Sequence, residues 1–568
     1  MVSRRKLAVS IGIVAVAAVS LLAASWAGAS SQASYPRAQT LITSGTQWGP
    51  IAGMNPYGGS YATGMVGLVN ETLLRYDPLT DKYIPWLAKS AKFTGAKTFV
   101  IKVRPGIKWS NGKAFTGKDV AFNINLGKFK TAFWNVLYTN IKPAKAKGNT
   151  VTVTFKSTPN YDQWQNLMWN LPMMNPAQYA GITAATFTSF SPKTPIGTGP
   201  YTLGSIDPTI RVVWQKKAVW WAAKQKVAPS PAPTFIIDLC NTNNTNALGG
   251  LLTAIEDLNN NYIVGINQYV ANGKMQTYFN GPPYDLAANT AWLTPNTTKK
   301  PLNDKTFRKA LASSVNVTNI VNSDYRNLVT KANPTGLLKI WKKWIDAKQV
   351  ASLGFTYDIS KAKALLSGAG YKDVNGDGYV ENKDGSKLEL SIAVPSGWSD
   401  WELAENMIVN STKAAGIHVA IKVGDFNAYQ AARNNGTFDL VIDNTYQLSD
   451  NPYTFFNGLF HQPILTAQTF ANFSRYNNAG AWTLTKKLDK TPLGQVSKRK
   501  AIMKSLEKVV LTDLPNIPLW YNGVWAQTQS KYWTNWPSHG SKRHYVPCMW
   551  RGYLQLTGID MFTHVKKA

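Results

Sequence analysis

Apolar and polar positions change period several times along the chain. Alternation at Thr98 to Val103, at Tyr201 to Gln215 and at Lys387 to Ala393 predicts half-buried strands, and the unbroken apolar runs at Phe235 to Asp238 and Phe438 to Asp443 predict strands buried on both faces. Helical spacing predicts a helix over Lys118 to Phe129, capped by Thr116 with Asp119 in its first turn. Others follow a proline turn at Phe307 to Leu311, end in glycine over Asp358 to Tyr371, and run over Trp401 to Ala415 ahead of a strand at Gly416 to Lys422. Leu41 to Tyr57, with Trp48, Asn55 and Pro56, shows few helical signals and is read as a loop whose aromatics can line a site. Strands and helices in this mixture define an α/β protein.

One stretch organises the rest. In Pro195-Ile196-Gly197-Thr198-Gly199-Pro200-Tyr201, two prolines and two glycines forbid a continuing helix and set a tight bend, read as a return crossing and a hinge between lobes. At 568 residues the chain exceeds one hydrophobic core, so two to three domains are expected.

Charge narrows the function. Lys and Arg number 61 against 30 Asp and Glu, a net +31. The basic residues are scattered as singles and pairs such as Lys216-Lys217 and Lys486-Lys487, which reads as a solvated face and not as a nucleic-acid surface. Scarce carboxylates suit an acid exterior, where Asp and Glu would lose their pairing. At the N-terminus Arg4-Arg5-Lys6, the apolar run Leu7 to Ala24 and Ala27-Gly28-Ala29 form an export signal over residues 1–29, with an uncleaved membrane anchor as the alternative. Export makes the location periplasmic or the extracellular cell surface. Cys240 and Cys548 lack any C-x-x-C partner, which argues against a metal site and leaves either one disulfide or two buried thiols.

Catalytic constellations are missing. The five histidines are isolated, and there is no G-x-S-x-G or H-E-x-x-H. Gly112 to Asp119 fits G-x-x-x-x-G-K but has Asp119 where a phosphate loop needs a hydroxyl. Asp373, Asn375, Asp377, Glu381 and Asp384 occupy calcium-loop-like positions without a following helix, and are read as an Asn-Gly turn, with calcium as the lesser alternative. No metal, cofactor or catalytic residue is assigned.

Several blocks resemble the family 5 extracellular solute-binding proteins, receptors for peptides, nickel and oligosaccharides that serve ABC importers. They include Pro195 to Tyr201, Tyr76-Asp77-Pro78, Ile107-Lys108-Trp109-Ser110-Asn111-Gly112-Lys113 (with Asn111 for the usual Asp), Asn296 to Leu311, Asp358 to Tyr371, Gly416 to Val419 and Pro515 to Tyr521. The resemblance spans about residues 40 to 535 in order. It implies a two-lobed periplasmic-binding-protein-like fold (type II, cluster C) with an extra inserted domain: 36–75, 197–290 and 525–568 as lobe 1, 76–196 as the insertion, 291–524 as lobe 2. It also implies a monomer that captures an oligopeptide or oligosaccharide between the lobes and docks on an ABC permease, without turnover. A secreted oligosaccharide hydrolase is the alternative.

In peptide-binding members an aspartate lies four places before the proline that follows the F-D-x-x strand. Counting back from Pro452 gives Leu448, and the nearest carboxylate is Asp450, which weakens a simple peptide reading. The 21 Trp and 25 Tyr offer flat rings for sugar faces, and amides such as Asn444 and Asn457 can bond hydroxyls. Trp398, Trp401, Tyr446, Asp450, Trp520 and Tyr521 are the expected cleft residues, each in or beside a loop at the end of a predicted element.

Overall fold

A computed structural model describes residues 35–568 except 52, 59–60, 242, 245, 445–450, 542–546 and 551–557. The export signal, Tyr446, Leu448 and Asp450 therefore lie outside the described residues.

Two six-stranded mixed sheets each anchor a lobe. In the first, strand Thr40–Trp48 runs parallel to Phe235–Asn241 and Leu258–Asn259. The segment read as a loop from Leu41 is thus a central strand: covered on both faces, it needs no alternation, and so carries no period-2 signal. The run Tyr201 to Gln215 is a hairpin, Tyr201–Asp207 and Arg211–Lys216, turned at Pro208. In the second sheet Leu390–Ala393 lies parallel to Val419–Ile421 and Leu440–Asp443, while Ala287–Pro295 and Ile517–Gly523 pair antiparallel beside them. Helices Lys305–Ser314, Ile359–Gly368 and Ser399–Ala414 belong to this lobe. Each of the first two starts on an aspartate, Asp304 and Asp358, whose side chain accepts a backbone N–H in the first turn.

Between them sits a smaller unit built on a four-stranded antiparallel sheet that includes Ala88–Gly95, Thr98–Val103 and Thr150–Thr154. Helix Gly117–Asn125 packs on it with the Thr116–Asp119 capping box complete. The Pro195 to Tyr201 bend joins this unit to the first lobe. It is not a free hinge. Gly199 N donates to Val69 O at 2.8 Å, Tyr201 N to Leu68 O at 3.0 Å and Ser110 N to Gly197 O at 2.9 Å. A methyl on Gly197 would overlap the Val69 carbonyl, and one on Gly199 the Leu68 carbonyl, so both glycines are needed for close approach. Beside them the buried Glu71 accepts from Trp86 Nε1 at 2.9 Å and Trp221 Nε1 at 2.7 Å. The chain crosses between lobes elsewhere, near 276–287 and 523–528, where Ala526 N donates to Asp285 Oδ1 and Val524 N to Leu286 O.

The small unit also docks on the second lobe. At the start of helix Tyr161–Asn170, the amides of Asp162 and Gln163 donate to Asp489 Oδ1 at 3.0 and 3.2 Å, and the Asn160 and Gln163 side chains donate to Oδ2, both at 2.7 Å. Arg499 Nη2 donates to Asp162 Oδ1 at 2.6 Å, with both side chains buried. Cys240 and Cys548 are free thiols; Cys240 lies in its strand beside Pro208 O, and Cys548 is buried in the second lobe's core.

Two outcomes follow. Gly199→Ala should cost about 3 kcal/mol or prevent folding, measured by denaturant unfolding, whereas Gly181→Ala, with open space at Cβ, should change little. Arg499→Met, which leaves Asp162 buried and unpaired by its cation, should cost about 3–5 kcal/mol in the same assay.

Candidate functional site

In both sheets the parallel strands point their C-terminal ends at the same gap. Open α/β sheets place ligands at such ends, because the loops there are free of the ladder. Trp48 closes strand Thr40–Trp48; Asn244 follows Phe235–Asn241; Asn260 and Asn261 follow Leu258–Asn259. From the facing lobe, Trp398, Asp400 and Trp401 begin helix Ser399–Ala414, and Asn444 follows Leu440–Asp443.

These residues line a partly open cavity of about 70 Å³. Its rings are Trp48, Trp398, Trp401, Trp525, Trp550 and Tyr262. Its amides are Asn244, Asn260, Asn261, Asn444 and Asn522, and Asp400 is the one carboxylate among the described lining residues. None of those residues is Lys, Arg, His or Cys.

The lobes touch across the cavity. Trp48 and Trp398 have ring centroids 5.7 Å apart, Trp398 lies edge-on to Trp401 at 4.7 Å, and Asn244 Nδ2 donates to Asp400 Oδ1 at 3.3 Å. Asn260 holds one wall: its Nδ2 donates to Trp525 O at 2.6 Å, its Oδ1 accepts from Met549 N at 3.0 Å, and its carbonyl takes Trp550 Nε1 at 3.2 Å. Gly45, with φ of +91°, lets the first strand pass against this segment; a Cβ there would sit 2.6 Å from the Asn260 carbonyl carbon.

Asp400 Oδ2 accepts from Tyr325 Oη at 3.1 Å, and burial pushes its carboxyl up to about 6 against the pull of that bond. Asp324, on the neighbouring turn, leaves Oδ2 buried without a donor; burial, then the nearby Asp400 charge, raises it to about 8. Glu405, one turn on from Asp400, leaves Oε1 likewise without a donor and is raised to about 8 by burial, with Glu402 adding to it. Among the described residues no ion pair reaches any of the three.

Of the residues expected from sequence, Trp398 and Trp401 line the cavity. Trp520 and Tyr521 do not. Strand Ile517–Gly523 is central and buried throughout, so Trp520 packs on Tyr325 at 5.1 Å, and Tyr521 Oη donates to Leu337 O at 2.7 Å inside the core. Their neighbours Asn522 and Trp525 reach the cavity instead. Sequence reading also passed over Asn244, Asn260, Asn261 and Asp400. Their common signal is position just after a strand or at a helix start, and it becomes legible only once the strands are known to be parallel.

A second, wider cleft lies between the small unit and the second lobe, lined in part by Tyr57, Phe133, Trp134, Trp169, Tyr453 and Phe470. The acidic turn brings Asp373, Asp377 and Glu381 within 4.8 Å of one another, the one such potential metal-ligand group among the described residues. Asp373 there accepts Gly376 N and Gly378 N, and Glu381 accepts Asn375 Nδ2, while Asp384 turns away to Ser386.

Two lobes with a polar, aromatic cavity at the junction define a receptor for a solute rather than a macromolecular surface. Residues 82–465 match the family described as bacterial extracellular solute-binding proteins, family 5, and the chain belongs to it. The chain is 24% identical over 454 residues to the oligopeptide-binding protein AppA of Bacillus subtilis (77% of each chain), and 24% identical over 406 residues to the nickel-binding periplasmic protein of Escherichia coli (69% of this chain, 72% of the other). Among solved structures it is similar to the mannohexaose-bound periplasmic oligopeptide-binding protein of Thermotoga maritima: TM-score 0.88, 32% identity, 94% of this chain and 99% of that one. The nonapeptide complex of B. subtilis AppA shares the fold at TM-score 0.74 and 19% identity, over 93% and 99% of the chains. No helix among the described residues is long and apolar enough to cross a membrane.

The buried carboxyls set a pH dependence. A carboxyl whose folded value exceeds its unfolded one contributes stability that is complete below the unfolded value and is lost as pH rises through the folded one. Thermal unfolding should therefore show the protein losing stability from pH 5 to 9. Glu405→Gln should flatten that loss, each unit of displacement being worth about 1.4 kcal/mol.

Proposed function

We propose that the protein is the exported receptor of an ABC importer and that its ligand is an oligosaccharide. One observation carries this: the described cavity lining joins six aromatic rings to five asparagines and a carboxylate, with no basic side chain. Flat rings cover the apolar faces of pyranose units, and amides and a carboxylate take the outward hydroxyls. A peptide ligand would bring a C-terminal carboxylate, for which the described lining residues offer no cation. The mannohexaose complex of the T. maritima relative supports the same choice. Trp398 is the stacking platform, the buried Trp401 backs it edge-on at 4.7 Å, and Trp48 faces it from the other lobe.

Three domains with the boundaries expected from sequence, a monomeric state and delivery to a membrane permease belong to this reading. With one carboxylate in the described lining, a two-carboxylate hydrolase is the weaker alternative. A peptide reading keeps one support, since Asp400 would suit an amino terminus.

Thermal unfolding of the purified protein against manno- and cello-oligosaccharides, short peptides and nickel tests the choice. A ligand at 100 times its Kd should stabilise by about 2.7 kcal/mol. Stabilisation by saccharides alone is expected, and Trp398→Ala should weaken it by at least about 1 kcal/mol. Stabilisation by peptides alone would overturn the saccharide assignment.

A further inference from the structure

The cavity leaves hydrogen-bond acceptors waiting for donors. Asn261 and Asn522, 2% and 4% exposed, each present a buried Oδ1 with no donor. Asp400, 4% exposed, has one oxygen on Tyr325 and the other on the long 3.3 Å contact from Asn244 of the facing lobe. Its own backbone amide and that of Trp401 also favour the charged carboxylate, which leaves the contact from Asn244 as the long bond that a ligand donor would replace. These acceptors line one cavity, contributed by both lobes.

Resting on the oligosaccharide reading, we propose that Asp400 is the residue that selects the ligand, accepting hydrogen bonds from the hydroxyls of a sugar unit beside the Trp48–Trp398 ring pair, with Asn261 and Asn522 as the accompanying acceptors. Ligand hydroxyls would meet Oδ1 where Asn244 now reaches across, so the same atom reports both ligand and lobe closure. The groups facing Asp400 are Glu402 on its own helix, Asp324 and Tyr325 on the adjacent turn, Tyr262, and Asn244 opposite. Of the three buried acids Asp324, Asp400 and Glu405, burial raises Asp400 least, to about 6 against about 8 for the other two. Asp400 is also the one that lines the cavity. A donor-rich ligand is favoured by its charge, and affinity should fall as pH drops through about 6, where Asp400 takes up its proton.

Calorimetric titration with mannohexaose at pH 5 and pH 7 tests this, using wild type, Asp400→Asn and Glu405→Gln. Asp400→Asn keeps the shape and should weaken binding at pH 7 by roughly 10-fold or more, the usual worth of a hydrogen bond to a charged group. It should also erase the pH difference. Glu405→Gln, the buried acid on the same helix that does not line the cavity, should stay within about twofold. Should Asp400→Asn not fold, Tyr325→Phe, which strips one donor from Oδ2, is expected to alter the pH difference without abolishing binding. A wild-type Kd matched within twofold by Asp400→Asn, with the pH difference intact, would overturn the assignment. So would hexa-glucosamine binding more tightly than mannohexaose through Asp400, because the carboxylate would then serve an ammonium. A wild type that binds peptides and no saccharide refutes the oligosaccharide reading itself, and with it the hydroxyl role of Asp400.

Discussion

Backbone lies directly on backbone where Gly197 and Gly199 meet the carbonyls of Val69 and Leu68, and the rest of the molecule is arranged around that contact. A side chain at either glycine would push the small four-stranded unit away from the first lobe. With both in place the unit is welded to that lobe by ladder-like bonds and by Glu71, which the indoles of Trp86 and Trp221 satisfy from two sides. The position of helix Tyr161–Asn170 is then set relative to the first lobe, and the second lobe meets it through Asp489 and the Asp162–Arg499 pair. Closure of the cavity and docking of the small unit are thereby parts of one geometry: the second lobe has one contact at Trp48 and another at Asp162, and both depend on the same bend.

Much of the architecture was legible because apolar periodicity and turn chemistry act locally. The Thr116 cap, the hairpin around Asn111-Gly112 and the strand at Leu440 to Asp443 need only neighbours in the chain. The central strand Thr40–Trp48 was not legible, since a parallel strand covered on both faces has no alternation to read. Likewise the bend could be seen but not its rigidity, because the atoms that lock it, at Leu68 and Val69, lie more than a hundred residues earlier.

The site shows the same division. Trp398 and Trp401 stand at a helix start that the pattern reveals, and the structure places both at the wall of the candidate cavity. Trp520 and Tyr521 stand in a strand whose two faces are both core, and aromatic content alone does not separate packing from binding. Asn260 and Asn261 contribute polar groups from a segment with no motif at all; they matter because the strand before them is parallel to Thr40–Trp48 and ends in the same gap. Cys240 and Cys548, read as either one disulfide in an oxidising compartment or two buried thiols, are both free, Cys240 half-buried and Cys548 buried.

The chain's unusual charge and its buried acids are two sides of one design. Surface Lys and Arg outnumber acids, yet Asp324, Glu405 and Glu507 keep carboxylate oxygens buried with no donor, an arrangement that costs least when they are protonated. Acid removes that cost, while the exposed pairs such as Lys383–Asp304 and Lys504–Asp346 contribute little and hold until lower pH. Asp400 is placed differently from this set. It lines the cavity, it is shifted less, and it faces the opposite lobe, so the least-raised acid of this buried cluster is the one at the cavity wall. A fold that tolerates neutral acids in its interior thus keeps its least-shifted buried acid of this cluster, Asp400, as the one carboxylate among the described lining residues, beside aromatic walls that carry no charge.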